Sequence, residues 1–233
     1  MNILLRIANW LERLAVSAGR AAGWIILPLI ALIMFDVVTR KLDITRLYFS
    51  ELAMAWGGIS ISTILQDLQW HFHAVLLMMT FGVAYLANAH VRVDIFRELL
   101  ARRKQAWIEL IGLVFLASPF LVLMMNEAWQ LAELSFHQGE GSESLTGIGK
   151  RWIIKSVVVI GFWILAAAVI GTIFRLLVML FGGEKERLEA EGALAIFPDN
   201  EELEKARLAA EQALRDTEDA LAAKSAKPAQ RAH

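Results

Sequence analysis

The sequence predicts an all-α integral membrane protein with four transmembrane helices, interfacial amphipathic helices and a charged helical C-terminal tail. Three observations predict it. The chain is 57% hydrophobic over 233 residues with a mean hydropathy of +0.51, more apolar than a soluble domain of this length. The apolar residues gather in four long blocks, each close to the roughly 20 residues needed to cross a bilayer core of about 30 Å. From Glu184 onward the composition shifts to Ala, Glu, Lys, Leu and Arg. A net charge of −1, with no basic run interleaved with aromatics, gives no footprint for nucleic acid. The absence of cysteine excludes disulfides, thiol nucleophiles and thiolate metal sites together.

Residues 1–20 place Ile3, Ile7, Trp10, Leu11 and Leu14 on one helical face and Arg6, Arg13 and Arg20 on another. That is the pattern of an interfacial helix; an uncleaved signal anchor is the other reading of the same residues. A four-helix membrane domain is expected over 21–182. Its first span, about 21–39, carries Asp36 near its end, one turn before Arg40. Segment 47–69 opens with a helix start at Ser50 and Glu51. Its stripe of Leu52, Ala55, Trp56, Ile59, Thr63 and Gln66 is too polar for a plain span. It reads as an arm helix lying in the interface or against a partner, with a short fifth span as the alternative.

The second span, about 70–89, begins with Trp70 and Phe72 at interface level and continues as an apolar run. The third, about 107–130, contains Pro119, where a kink is expected. The fourth, about 152–181, holds an uncharged run between Lys155 and Arg175, both expected to snorkel to opposite interfaces. Residues 183–233 form a cytoplasmic charged tail with a helix start at Asp199 or Asn200 and acids in its first turn. Alanine fills much of its heptad seam, which suits a solvated helix better than a coiled coil.

The histidines invite a metal or haem reading. His71 and His73 are two residues apart and so point about 200° away from each other on a helix. His90 lies about 26 Å further along at 1.5 Å per residue. The apolar cores of spans one, three and four contain no histidine, so facing ligands at one depth are missing. Arg92 and Asp94 alternate with valines and can pair in an extended turn. Asn126, Gln130 and Glu133, with Glu127 beside them, form a polar stripe at the end of span three. It marks either the emergence of the helix into water or a face toward a partner protein.

Lys and Arg in the short loops place both termini and the loop after span two, with Arg92, Arg97, Arg102, Arg103 and Lys104, in the cytoplasm. Arg40, Lys41 and Arg46 fall outside against that rule.

Two blocks carry a resemblance to a known family. QDLQWHFHAVLLMMTFGVAYLANAHVRVDIF has Trp-His at the start of span two and His-Val-Arg-Val-Asp at its end. GEGSESLTGIGKRWIIKSVVVIGFWIL has Glu-Gly-Ser before an Arg-Trp and a Lys at the head of span four. Over about Gly23 to Gly182 the chain resembles the small four-helix membrane subunit of tripartite ATP-independent periplasmic (TRAP) transporters. The resemblance implies a sodium-driven importer of organic acids in the bacterial inner membrane. It implies as partners a large multi-span permease subunit, a periplasmic substrate-binding protein and membrane lipid. It further implies a scaffold role beside a large subunit that moves like an elevator, with help in docking the binding protein, and no enzymatic activity or cofactor. The interface candidates are Glu51, Trp56, Trp70, His71, Arg92, Asp94, Glu140, Ser142, Arg151, Trp152 and Lys155; no catalytic or metal residue is expected. The competing functional classes are a membrane anchor carrying haem or quinone for an oxidoreductase and a free-standing small carrier.

Overall fold

A computed structural model describes residues 2–42, 48, 51, 54–55, 61–89, 100–142, 147–194 and 212. The chain divides into two compact units, Met1–Leu194 and Ala195–His233. In the second, Gln212 is described; it is helical and exposed. The tail helix expected from Asp199 therefore lies outside the described residues.

The first unit is all helix among the described residues. Its elements are α1 (Asn2–Gly23), α2 (Ile26–Lys41), α3 (Ile61–Leu86), α4 (Arg102–Gly112), α5 (Ser118–His137), α6 (Trp152–Phe181) and α7 (Glu184–Gly192), with a π-helical turn, Leu113–Ala117, joining α4 to α5. Three helical stretches are long and apolar enough to cross a membrane: Ile3–Lys41, Arg102–His137 and Trp152–Phe181. The fourth expected span lies in α3, which has 26 residues but is diluted over its first half by Asp67, Gln69, His71 and His73.

α6 is the centre of the bundle, with α1, α3, α4, α5 and α7 packed on it and α2 packed on α3. Small residues allow the close approach that membrane helices need, since lipid offers no hydrophobic drive for them to associate. A Cβ on Gly82 would lie 2.8 Å from Ile164 Cγ2 and 3.0 Å from Ala15 Cβ, so α1, α3 and α6 meet there. Gly161 lets α6 come equally close to the Met78 backbone.

Pro28 and Pro119, the prolines of the described helices, each act on the carbonyl four residues before them. Pro28 has no N–H for Trp24, and the chain breaks there into turns, with Trp24 N–H bonded to Ala21 O and Ile25 N–H to Ala22 O. At Pro119, where a kink is expected, the helix carries a π turn over Leu113–Ala117, and Ser118 Oγ donates to Leu113 O at 2.8 Å. The expected break between arm and second span is missing, because 61–69 forms the first turns of α3. Of 47–60, Tyr48, Glu51, Met54 and Ala55 are described, all helical and exposed. At its other end α3 closes with Asn88 in the left-handed region, φ 53°, while Ala89 N–H reaches back to Ala84 O at 3.0 Å, a Schellman-type cap.

α1 is a packed member of the bundle. Its apolar face is exposed, with Ile3, Ile7, Trp10 and Leu14 outward. A third face, Leu5, Ala8, Ala15, Gly19 and Ala22, is buried against α3 and α6. The fourth helix also differs from expectation at its tail. Arg175 does not snorkel: it is 5% exposed, pairs with Glu12 of α1 and donates to Asn9 Oδ1 at 2.5 Å. Burial of Ala190 and Leu194, with Arg102 paired to Glu191 at 3.4 Å, draws the first turns of the tail into the first unit.

Candidate functional site

The loop joining α5 to α6 brings distant polar residues together over the start of α3. Gly139 turns the chain out of α5 with φ +60°, and Arg151 N–H bonds to Glu140 O at 3.1 Å, closing the loop on itself. Asp67, three residues ahead of Trp70 and outside the apolar run, anchors it. Asp67 Oδ2 accepts from Ser142 Oγ at 2.8 Å and from Ile148 N–H at 2.8 Å. Partial burial works against its ionised form, but the hydrogen bonds from Ser142 and Ile148 outweigh that and hold its carboxyl below the ordinary value.

Four residues on, His71 lies with Nδ1 2.5 Å from Asp67 O. A carbonyl only accepts, so Nδ1 carries the proton and Nε2 is left for another partner. On the far side Lys155 pairs with Glu140. The hydrogen bond from Lys155, at the head of α6, is the leading cause of a lowered Glu140 pKa.

Together these side chains line a cleft of 590 Å³. Trp70, His71, Ser142, Arg151 and Lys155, all expected interface residues, share its walls with Thr63, Gln66, Asp67, Ala74 and Ile154. Glu140 joins them through Lys155. Trp152 sits on the opposite side of α6, edge-on to Phe136 at 5.3 Å, lining a second, apolar groove. Glu51 is exposed and helical, with no part in the cleft. Trp56, Arg92, Asp94 and His90 lie outside the described residues. The sequence reading missed Asp67 as the organiser; the signal was its position one helical turn before His71.

A second polar cluster joins α2 to α3 at the same end of the bundle. Asp36, 6% exposed, pairs as expected with Arg40 at 2.9 Å and accepts from Gln69 Nε2 at 3.3 Å. Gln66, in its hydrogen-bonded orientation, accepts from Arg40. His73 is exposed while His71 faces the cleft, so the two histidines diverge as helical geometry requires. Among the described residues no three His, Asp or Glu side chains converge as a metal site.

The geometry is that of a braced membrane bundle with a polar cleft at one end. Residues 29–179 match the family described as tripartite ATP-independent periplasmic transporters, DctQ component. The chain belongs to that family. No curated relative and no solved structure matches it. It is therefore a small permease subunit of a TRAP transporter, a transporter component and not an enzyme. The matched residues of this small permease subunit include the cleft and Arg175 but begin after α1, so Arg175 meets Glu12 across the edge of the family region.

Proposed function

We propose that this small permease subunit is the fixed membrane scaffold of a sodium-coupled importer of organic acids. It stands beside a large elevator-type permease subunit, with the loop-end cleft on the periplasmic side and both termini in the cytoplasm. The observation that carries this reading is the bracing of one central helix at both ends. α6 is tied through Lys155 to Glu140 near its start and through Arg175 to Glu12 and Asn9 near its finish. An elevator subunit does work only against something that does not slide, and Trp24, Trp70, Trp107 and Trp152 at span ends resist vertical movement.

The cleft suits a second part of the proposal, help in seating the periplasmic binding protein. Arg151 and Lys155 lie in it beside Asp67 and His71, a mixed-charge surface of the kind that orients an encounter more than it adds affinity.

Reconstitution tests both parts. With the small and large subunits in proteoliposomes, the binding protein outside and an inward sodium gradient, organic-acid uptake is expected. It should vanish when choline replaces sodium or when either membrane subunit is left out. Uptake by the large subunit alone at the full rate, or without a sodium gradient, would overturn the reading.

A further inference from the structure

The polar residues of α5 are on the far side of the helix from its own bundle. Leu121, Ala128 and Ser135 form its buried line. Asn126, Gln130, Glu133 and His137 follow one another at helical spacing on the opposite side, and all four are exposed, as is Glu127 beside them.

Their depth follows from two ring contacts that mark the ends of the bundle. Phe136 meets Trp152 at 5.3 Å at the cleft end, and Trp107 meets Phe181 at 5.8 Å at the other. From Trp107 to Phe136 the helix rises about 43 Å, and Asn126 and Glu127 stand roughly 15 and 13 Å below Phe136. A hydrocarbon core of about 30 Å centred on that span puts both residues inside it. Lipid tails offer them no hydrogen bonds, and an intramembrane carboxylate faces a cavity or a partner. The exposed face of α2 differs: Leu27, Ile30 and Met34 are purely apolar, and lipid alone satisfies them.

A groove of 460 Å³ runs beside the stripe, walled by Trp129, Phe136, Trp152, Val159 and Ile160, with Glu133 and His137 on its edge. The amides of Asn126 and Gln130, both at core depth, call for hydrogen-bond partners opposite them, whereas Glu133 has His137 Nε2 at 3.9 Å. The groove calls for a bulky apolar side chain at the same depth. One transmembrane helix can supply both.

We infer that this face of α5, stripe and groove together, receives a transmembrane helix of the large permease subunit that presents hydrogen-bonding groups to Asn126 and Gln130. The inference rests on the proposed assembly with that subunit. It assigns the α2 face to lipid.

The test places a photo-crosslinking residue at Gln130 or, as the control, at Ile30, in the full chain co-expressed with the large subunit. A crosslink to the large subunit from position 130 and none from position 30 is expected. With Asn126→Leu and Gln130→Leu together, recovery of the large subunit on the purified small one should fall about tenfold, two interhelical hydrogen bonds being lost. Membrane insertion of the variant should be unchanged. Crosslinks from position 30 instead, crosslinks from 130 only to lipid, to a second copy or to the chain's own arm, or undiminished recovery of the variant would each overturn it. Failure of the wild-type chain to co-purify with the large subunit at all would instead sink the proposed function, which keeps the two failures apart.

Discussion

Asp67, Glu140 and Arg175 each hold together segments far apart in sequence, and each makes a separate expectation. Asp67→Ala would leave Ser142 Oγ and the Ile148 N–H without their acceptor. A loss of about 1–3 kcal/mol is expected, the usual cost of orphaning such groups, read as a lower melting temperature of the purified complex and faster proteolysis of the loop. Glu140 makes a pH expectation. Its folded pKa is lowered from 4.5 chiefly by Lys155, so the ion pair stabilises the folded state fully above pH 4.5 and is lost as the pH falls through the lowered value. Melting temperature should drop over that acid window in the wild type and drop less in Glu140→Gln; an unchanged slope would remove Glu140 from the argument. At Arg175 the charge is buried, so Arg175→Met should destabilise by about 3 kcal/mol because Glu12 is left uncompensated. The double variant Glu12→Leu with Arg175→Met should recover most of that loss; if both singles are silent, the pair is ornamental. Snorkelling is the simplest solution for a cation near a span end, and spacing alone suggests it for Arg175 and Lys155. Their partners are 163 and 15 positions away, and nothing in local spacing points to them.

At the scale of the elements, long apolar blocks were legible and helix contacts were not. The apolar blocks 107–130 and 152–181 fall within Arg102–His137 and Trp152–Phe181, whereas 21–39 crosses the break at Trp24 and 70–89 overlaps only the later part of α3; the Asp36–Arg40 pair is visible from its spacing of four. The packing face of α1 was hidden because alanine and glycine carry it: Ala8, Ala15, Gly19 and Ala22 make no hydrophobic stripe, yet small residues are what let membrane helices touch. The break at Trp24 has its cause in Pro28, four residues on, which the apolar block hides, and Pro119 is accompanied by a π turn over Leu113–Ala117. Glycines separate contact from mere helix. Gly82→Ala adds a Cβ 3.1 Å from the Ile164 carbonyl, a backbone atom that cannot step aside, and should cost about 1–3 kcal/mol as overpacking. Gly112→Ala meets nothing within 4 Å and should gain up to about 1 kcal/mol from helix propensity. Equal melting temperatures for the two variants would mean that α1, α3 and α6 do not meet at Gly82.

For the whole molecule, the family region from 29 to 179 was legible in the Trp-His and Glu-Gly-Ser blocks, and the cleft turns out to be where those blocks meet, through Asp67, His71 and Ser142. Coming together over a separation of 75 residues is a property of the fold, which explains why His71 looked like a ligand in the sequence and acts as a wall of the cleft in the structure. The bracing of α6 at both ends makes the bundle a body that should keep its shape while its large partner moves. The chain contains no cysteine, so thiols introduced as Ala8→Cys and Gly171→Cys, where a Cβ on Gly171 lies 3.5 Å from the Ala8 carbonyl, give a pair that locks α1 to α6 once a gel shift verifies that it oxidises to a disulfide. The measurement is sodium-driven uptake in proteoliposomes containing this locked chain and a cysteine-free large subunit, before and after oxidation. A fixed scaffold transports at the same rate oxidised or reduced; uptake that stops on oxidation and returns on reduction would show that the bundle itself must move.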